Sequence, residues 1–565
     1  MQPVRYRYVL DHTASTIGYF SCEPEGLDAG PDLAASPAMA RFEACPGDQF
    51  LHDWLLRKIT HSDGTLTALA ATAAKRPVLA ALAAEAALLL PDMPPDLEAA
   101  FPQTRLEELA RQTGLPLPRW GLRADRLAVR AWSRHYAANI LEHRPLPDIR
   151  RHPVPQALRD AAALPETTGP ALAGLRSGFA APPAEPRRSA TETAALALER
   201  LMDADFIAGP ELRHLSSLSP IALLRRWPLQ LDASNGSVRF SLEGESVSWG
   251  RGLSLADARV SCAMEMVERI SAYVSVRDMT LLDRLHPATL LKARYSELCA
   301  QGRPALDPNT LPVGLPYADT PLHWMEAATC HGHSLLVPLQ AVTLFCNLDE
   351  TSLLLPPVST GLATGNTQAE ARLAALLEVL ERDAEATTPW APGSVFVLTT
   401  RDPHLNTLLQ AYKDRGIAVQ FRELRTPFGI PCYECFVVAQ DGAVVRATAA
   451  SLSARRAVLS ALTETPWPFP ESPASAPAPA KTPARDWDDL PDYGTGSAQG
   501  DLALLEQLLT AHGYTPVYAD LTRADLLFPV VRAIVPGLSL SADPDPWSVP
   551  PSRLVRRHLF PEACA

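Results

Sequence analysis

Hydrophobic and polar residues alternate along this chain with two different periods. From residue 189 onwards, short stretches rich in Val, Phe and Leu predict β-strands, and segments of helical period separate them. These stretches are SVRFSLE, SLLVPLQAVTLF, SVFVLTT, ECFVVAQ and FPVVRAIV. The alternation predicts an α+β fold, with one large domain over residues 189–565.

Residues 1–145 instead carry helical patterns such as TRLEELARQTGL, separated by short proline breaks. They predict a mostly helical accessory domain, in which we find no catalytic constellation. The longest apolar tract, 66–90, contains Lys75, Arg76 and Glu85, which are too costly in a lipid-exposed span. We interpret this tract as a buried Ala-rich helix pair and expect no membrane contact.

Prolines divide the chain further, because 54 of the 565 residues are proline, close to twice the usual share of about 5 %. Segment 146–188 is rich in Pro and basic residues and resists both helix and strand, which predicts a linker. Segment 466–489 alternates Pro, Ala and Ser and cannot form a core, which predicts a mobile insertion or loop.

Charge and cysteine usage narrow the class of protein. The formal net charge is −12 and no run of clustered Lys and Arg appears, which speaks against nucleic acid as a partner. The hydrophobic fraction of 47 % is that of a soluble globular protein. Nine cysteines form no regular framework and no secretory signal is visible, so we expect a cytoplasmic protein.

Candidate chemistry begins in the segment GRGLSLADARVSCAMEMVERISAYV, which predicts an amphipathic helix. Its polar residues follow the pattern S-x-x-x-E-x-x-E-R and share one face at 3.6 residues per turn. These polar residues are Ser261, Glu265, Glu268 and Arg269. The opposite, apolar face comprises Val260, Ala263, Met264, Val267 and Ile270.

A second segment, STGLATGNTQAEARLAALLEVLERDAEA, repeats this arrangement. Its apolar stripe comprises Leu373, Leu376, Leu377 and Leu380, and its acidic stripe comprises Glu370, Glu378, Glu381 and Glu385. Like charges three and four residues apart repel, so something should compensate them.

Two explanations for the acidic stripes stay open at this point. Both stripes could be solvated and balanced by Arg269 and Arg382, because amphipathic surface helices often look like this. The chain's own TETAALALER at 191–200 is such a look-alike. Alternatively, the stripes face each other across a cleft and hold Mg²⁺, which takes carboxylate oxygens and bridges nucleotide phosphates.

Glycine-rich turns precede both acidic helices and favour the second explanation. Gly250-Arg251-Gly252 leads into the first helix, and TGLATGNT at 360–367 leads into the second. Glycines permit close approach of the backbone, and helix N-termini attract anions. Two such turns before two matching helices indicate a Mg-ATP site.

Together these motifs resemble the YcaO family, over about residues 219–540. The resemblance extends to SPIALLRR, a GIP strand, an ALTE helix and DLTRADLLFPVVRAIVPGL. It implies a YcaO-like ATP-binding domain whose cofactors are ATP and Mg²⁺. It implies nucleotide-binding roles for Arg251, Ser261, Arg269, Asn366, Arg382 and Glu464. It implies metal-binding roles for Glu265, Glu268, Glu370, Glu378 and Glu381.

The resemblance also implies a reaction. Members of this family use ATP to phosphorylate the oxygen of a peptide amide after a nucleophile adds to its carbon, giving azolines, thioamides or amidines. Ring-forming members often end in alternating prolines, whereas this chain ends RHLFPEACA, so we expect thioamide formation slightly ahead of ring closure. The implied partners are a peptide or protein substrate and a TfuA-like or leader-peptide-binding protein, and a homodimer stays open.

This sequence departs from the family pattern around its third helix. Ser460 stands where an Arg usually precedes Glu464, and Trp467 and Phe469 replace a Gln and an Arg. Arg455 or Arg456 could supply the missing cation. Because part of the phosphate or substrate side is altered, a second interpretation stays open. It is a catalytically weakened ATP-binding accessory protein, resembling accessory factors of ribosomal-protein methylthiolation.

Other chemistry-bearing residues favour structural roles. Arg251 stands where Lys is common in the family, which keeps the charge but not the geometry. Cys432 and Cys435 form a C-x-x-C, but residues three apart on a strand point to opposite faces, so we expect two core cysteines rather than zinc ligands. Asp520 and Arg532 flank the predicted closing strand, where we expect them to be structural.

Overall fold

Helices and strands occur together along the chain, as a computed structural model describes it for residues 3–11, 19–27, 33–60, 66, 69, 76–89, 95–113, 115, 123–163, 168–183, 186–314, 316–344, 347–353, 358–540 and 549–560. The helices are α1 (Pro37–Ala44), α2 (Gln49–Thr60), α3 (Pro77–Leu89), α4 (Pro95–Ala100), α5 (Gln103–Thr113), α6 (Arg123–Glu142), α7 (Gln156–Ala163), α8 (Leu172–Gly178), α9 (Ala190–Asp203), α10 (Leu255–Ala272), α11 (Tyr295–Ala300), α12 (Gln368–Thr387), α13 (Pro403–Asp414), α14 (Ala454–Glu464), α15 (Ala498–Ala511) and α16 (Ser552–Leu559). The strands are β1 (Val4–Asp11), β2 (Tyr19–Pro24), β3 (Leu212–Arg213), β4 (Ile221–Asn235), β5 (Val238–Gly252), β6 (Val276–Arg277), β7 (Thr280–Leu281), β8 (Ala288–Thr289), β9 (Leu291–Ala293), β10 (Leu322–Thr329), β11 (Ser334–Pro338), β12 (Leu362–Thr364), β13 (Val395–Thr399), β14 (Gln420–Glu423), β15 (Cys432–Val438), β16 (Val444–Ala450), β17 (Ala484–Asp486), β18 (Val517–Asp520) and β19 (Val530–Ile534). The expected α+β class is confirmed.

The first sheet has eight strands in the order β2-β1-β5-β4-β6-β7-β8, with β3 on β4. Its centre is the long antiparallel hairpin of β4 and β5, whose register runs unbroken from the pair Ile221 and Gly252 to the pair Asn235 and Val238. Buried and more exposed residues alternate along most of both strands, because successive side chains point to opposite faces. Strand β1 runs parallel to β5. Strands β1 and β2 of the predicted accessory domain thus belong to the same sheet as β4 and β5. The domain boundary at residue 145 stays a prediction.

Two further sheets complete the fold. One has six strands in the order β11-β10-β18-β19-β12, with β9 on β10, and the other has five in the order β16-β15-β14-β13-β17. The five predicted strands are confirmed as β5, β11, β13, β15 and β19. SLLVPLQAVTLF predicts too long a strand, because β11 ends at Pro338, which has no N–H to donate, and a 3₁₀ turn follows at Leu339–Ala341.

Helices α10 and α12 are held around the second sheet. α10 packs its apolar side against the hairpin of β4 and β5, and α12 packs against α15 and β19. Both helices also contact β12 and β19. These two strands therefore fix the acidic helices relative to each other.

The proline-rich segments contain more structure than their composition predicts. Segment 146–188 includes α7 and α8, so the expected absence of helix there is wrong. The prolines lie outside these helices: α7 begins directly after Pro155, where a missing N–H costs no helical hydrogen bond. Segment 466–489 is a loop over most of its length, as expected, but its end forms β17, which pairs with β13. The loop is also packed, because Trp467 is buried and the Ser475 hydroxyl accepts the Ala418 N–H at 2.7 Å.

The Ala-rich tract is only partly described. Helix α3 covers Pro77–Leu89 with buried alanines and leucines, whereas most of 61–75 lies outside the described residues. Among the described helices, none combines the length and the apolar character needed to cross a bilayer.

Candidate active site

The two acidic helices begin in the same way. Strand β5 leads into α10, where the Ser254 hydroxyl accepts the Asp257 N–H at 3.2 Å. Strand β12 leads into α12, where the Thr367 hydroxyl accepts the Glu370 N–H, also at 3.2 Å. Such N-caps satisfy one of the free donors of the first turn. The chain therefore builds the same strand–turn–helix unit twice.

The glycines of both turns lie directly against the helix that follows. A Cβ at Gly250 would come within 2.0 Å of the Ala258 carbonyl oxygen, and a Cβ at Gly365 within 2.6 Å of the Ala371 nitrogen. Since both contacts are with backbone, neither can be relieved by a side-chain rotation. The close backbone approach predicted from the sequence is confirmed at these two turns.

The carboxylates of α10 are held at the end of β5. Glu265 accepts the Trp249 N–H at 3.1 Å. Arg269 lies 2.7 Å from Glu268 and 3.8 Å from Glu265. Ser261, one turn earlier, is exposed. The buried side of the helix differs slightly from the expected one, because Cys262 and Met266 are buried in place of Val260 and Met264, which are only partly covered.

The carboxylates of α12 are held by the second turn and by the third sheet. Glu378 accepts the Gly361 N–H at 3.1 Å. Glu381 accepts the Thr448 hydroxyl of β16 at 2.6 Å and lies 3.2 Å from Arg382. Hydrogen bonds to the protein therefore fix the orientation of each carboxylate, which a carboxylate surrounded by water would lack.

Carboxylates from three helices influence one another. Burial raises the pKa of Glu268 to about 8, and the charges of Glu378 and Glu265 contribute. Burial also raises the pKa of Glu381 to about 8, with contributions from Glu464 and Glu378. Burial likewise raises the pKa of Glu265, and the charge of Glu464, the last residue of α14, contributes. The structure thus brings the two acidic stripes together with the third helix.

Exposure decides between the two explanations of the acidic stripes. The side chains of Glu265, Glu268 and Glu381 are 26 %, 15 % and 11 % exposed. Solvated surface carboxylates would be mostly exposed, and their pKa would not be raised by burial. The explanation by solvated surface helices is therefore wrong for these three residues.

Arg532 of β19, which the sequence led us to regard as structural, lies beside the acidic cluster. Its guanidinium donates to the Val358 carbonyl at 3.1 and 3.2 Å, and the side chain interacts electrostatically with Glu378 and Glu268. Burial lowers its pKa to about 10. The available signal was a single arginine within the apolar strand VVRAIV.

The chemistry of this cluster fits a magnesium nucleotide. Within the described chain, no three Asp, Glu, His or Cys side chains lie close enough to enclose a metal by themselves. Mg²⁺ at nucleotide sites takes one or two protein carboxylates and completes its shell with phosphate and water. The Arg251 Nε is buried and has no hydrogen-bond partner within the described chain, so the glycine turn retains a donor for an anion. The site therefore offers glutamate carboxylates that can bind a cation and an arginine N–H that can donate to phosphate.

Comparison with known proteins assigns the family. The model of the YcaO family, described as a cyclodehydratase that binds ATP and Mg²⁺, matches residues 249–466 and 467–539, which is just over half of the chain. The chain belongs to the YcaO family. ATP and Mg²⁺ are thereby confirmed as its cofactors, and the family supports an ATP-dependent enzyme that modifies peptides.

Individual relatives cover different shares of this YcaO chain. An uncharacterised protein of Methanothermobacter thermautotrophicus is 30 % identical over an alignment of 351 residues that covers 55 % of this chain and 85 % of that protein. YcaO from Methanopyrus kandleri, solved with AMPPCP and Mg²⁺, is 21 % identical with a TM-score of 0.46, over 63 % of this chain and 95 % of that chain. A heterocyclase solved with substrate and cofactor is 17 % identical with a TM-score of 0.45, over 65 % of this chain. This chain spans only 55 % of that heterocyclase.

Not all predicted site residues of this YcaO chain lie in the cluster. Glu370 precedes Glu378 by two turns, about 12 Å along the helix axis. Its carboxylate accepts the Asn366 N–H at 2.7 Å and pairs with Arg187 at 3.3 Å. The Asn366 side chain accepts from Arg188 at 3.1 Å. The residues just before α9 therefore contact Glu370 and Asn366, which form a second group apart from the acidic cluster.

The acidic stripe of α12 also divides at its other end. Although burial alone would raise the pKa of Glu385, Arg446 at 2.5 Å and Arg382 at 3.0 Å lower it. Arg382 thus lies between Glu381, which belongs to the cluster, and Glu385, which belongs to an ion-pair network. Asp383 is held by Arg553 of α16, which fixes α12 from the opposite side.

The departures from the family pattern have structural explanations. The Ser460 hydroxyl donates to the Glu464 carboxylate at 3.1 Å. Ser460 therefore orients Glu464, as the usual arginine would, but supplies no positive charge. Arg455 donates to the Trp487 and Asp488 carbonyls at the start of α14, so the suggestion that it replaces the missing cation is wrong. Arg456 is exposed. Trp467 and the partly buried Phe469 belong to the core of the third sheet.

The C-x-x-C pair is structural as expected. Cys432 and Cys435 are both fully buried on β15. Burial raises the pKa of both thiols, because an apolar environment disfavours the thiolate. Both cysteines therefore act as small core residues.

Proposed function

We propose that this YcaO protein uses Mg-ATP to activate a backbone amide of a peptide or protein, with a thioamide or an azoline as the product. Of the two products, we favour the thioamide. The observation that carries the proposal is the convergence of Glu265, Glu268, Glu378 and Glu381 from two helices, with Glu464 from a third.

The proposed roles follow from the position of each group. When bound, ATP supplies the phosphoryl group that makes the amide oxygen a leaving group, and Mg²⁺ offsets the charge on it. We assign the metals to the four glutamates of α10 and α12. Arg269 orients Glu265 and Glu268, and Arg382 orients Glu381; both arginines would be available to the phosphates. Arg251 offers its free donor from the glycine turn.

The proposal includes partners that supply the substrate and the nucleophile. An external sulfide gives a thioamide, and a neighbouring Cys, Ser or Thr side chain gives an azoline. We expect a TfuA-like or leader-peptide-binding protein to accompany the peptide, in the cytoplasm. These assignments stay predictions.

A second candidate function is that of an ATP-binding accessory protein with weakened catalysis. Ser460 favours it, because Glu464 is oriented by a neutral hydroxyl where the family usually has an arginine. The intact acidic helices, whose glutamates converge, speak against it.

Binding and turnover of ATP test both candidates. Glu265→Gln and Glu381→Gln should each abolish Mg-dependent binding of a non-hydrolysable ATP analogue. Glu199→Gln is a matched control, because Glu199 is exposed and lies in the look-alike motif of α9. Binding without phosphate release, in the presence of a peptide encoded beside this gene, would favour the accessory role. Absence of Mg-dependent binding in the wild type would defeat both candidates.

A further inference from the structure

One face of the first sheet carries a cluster of polar side chains far from the nucleotide site. Strand pairing places Arg5 of β1 beside Ser241 of β5, and Ser241 opposite Asp232 of β4. Side chains directly opposite each other share a face of the sheet. Arg239 lies two residues before Ser241 on β5 and therefore points to the same side.

A second row runs beside the first. Arg239 is opposite Ser234 of β4, and Ser234 is beside Arg277 of β6. All three arginines of the two rows are exposed, and together with the neighbouring side chains they line a hollow of about 690 Å³. This volume lies within the usual range of ligand sites, about 300–1,000 Å³.

The hollow is electropositive, although the chain as a whole has a net charge of −12. Three arginines face a single aspartate there, Asp232. None of these arginines forms an ion pair with another described residue. Elsewhere on the surface, arginines such as Arg7 and Arg226 pair with glutamates of the adjacent strand. The three guanidinium groups therefore remain available for an external anion.

We propose that this hollow binds an acidic segment of the peptide substrate, outside the residues that are modified. The inference rests on the proposed function, since it names a feature of the same substrate. Arginine forks bind carboxylates in a bidentate manner, and the serine hydroxyls between them can donate as well. From β1 to β6 the rows span three strand spacings, roughly 14 Å, which matches about four residues of extended peptide.

The position of the hollow sets a minimum length for the substrate. Arg239 and Arg251 lie on the same face of β5, because they are twelve positions apart, an even number, in an unbroken register. Twelve residues of strand span about 40 Å. An extended peptide needs at least about eleven residues to cover that distance. The acidic segment and the modified amide should therefore be separated by at least about that many residues.

Capture of a labelled peptide tests the inference. The probe is a short fluorescein-labelled peptide of alternating Asp and Ser, and its control has Asn in place of Asp. Wild-type protein should bind the acidic probe more tightly than the neutral one, and less tightly at high salt. Combining Arg5→Ser, Arg239→Ser and Arg277→Ser should weaken binding by about tenfold. Combining Arg150→Ser, Arg151→Ser and Arg159→Ser, which removes the same charge from another exposed region, should not.

Each outcome decides the matter. Equal binding of both probes, or equal binding by both triple variants, overturns the inference, as does tighter, arginine-dependent binding of a single-stranded oligonucleotide. The single variant Arg239→Glu repeats the test if the first triple variant unfolds at a lower temperature than the wild type. Mg-dependent nucleotide binding, measured in the same proteins, should be unchanged. Its absence in the wild type would refute the proposed function, whereas loss of peptide capture alone would refute only this inference.

Discussion

Binding of a magnesium nucleotide should release protons and should tighten as the pH rises. The pKa of Glu268 and of Glu381 is raised to about 8 in the metal-free protein, first by burial and then by neighbouring carboxylates. Both groups therefore hold their protons at neutral pH. Since a carboxylate must be ionised to bind a metal, Mg²⁺ has to displace these protons.

The size of the effect follows from these values. A group with a pKa of about 8 is roughly nine-tenths protonated at pH 7, so binding should release nearly two protons. Between pH 6 and pH 8 the affinity should rise by roughly 50-fold for each carboxylate that must ionise. Glu268→Gln removes one of these groups, and we expect it to release about one proton and to bind more weakly.

Calorimetry with Mg²⁺ and a non-hydrolysable ATP analogue measures both quantities. Titrations in two buffers of different ionisation enthalpy count the protons, after correction for those of the nucleotide itself. Glu199→Gln should behave as the wild type does. A wild-type affinity that does not change between pH 6 and pH 8, with no net proton release, would refute the reasoning.

Three further changes have defined outcomes. Glu434→Gln leaves buried arginines without their counter-charge and should lower the free energy of unfolding by about 3–5 kcal/mol, measured by urea denaturation; an unchanged midpoint would contradict this. Gly250→Ala forces a Cβ to within 2.0 Å of the Ala258 carbonyl oxygen, so it should cost at least about 1–3 kcal/mol and weaken nucleotide binding. Arg532→Gln removes a cation beside the acidic cluster and should shift the pH profile of Mg-nucleotide binding upwards; an unshifted profile would show that Arg532 does not act on the cluster.

The stability of the metal-free protein should also depend on pH. Because the folded pKa of Glu268 and Glu381 lies above the ordinary value of 4.5, their contribution to stability is fully present below pH 4.5 and is lost as the pH rises to about 8. Thermal unfolding should show this decline, and Mg²⁺ with the ATP analogue should reduce it. A decline of the same size with and without the bound analogue would contradict the assignment of these carboxylates to the metals.

Local patterns in the sequence predict much of the site because helix geometry is local. The spacing of Glu265 and Glu268 fixes their common face, and the glycines before each helix have the close contacts that their small size indicates. Five of the strands, β5, β11, β13, β15 and β19, are likewise visible as apolar stretches.

Long-range contacts decide what the pattern leaves open. Glu385 lies one helical turn after Glu381 and shares its periodicity, but it forms an ion pair with Arg446 of β16. The sequence around Glu385 does not predict that contact. Arg532 acquires its role only because β19 passes the two acidic helices. Strand β1 joins the first sheet through pairing with residues more than 230 positions away.

Crystals grown with Mn²⁺ and a non-hydrolysable ATP analogue test the central claim most directly. Mn²⁺ prefers the same oxygen ligands as Mg²⁺ and scatters anomalously. The account predicts anomalous peaks between Glu265 and Glu268 on α10 and Glu378 and Glu381 on α12, next to the phosphates. Nucleotide bound elsewhere, or metal bound away from both helices, would contradict it.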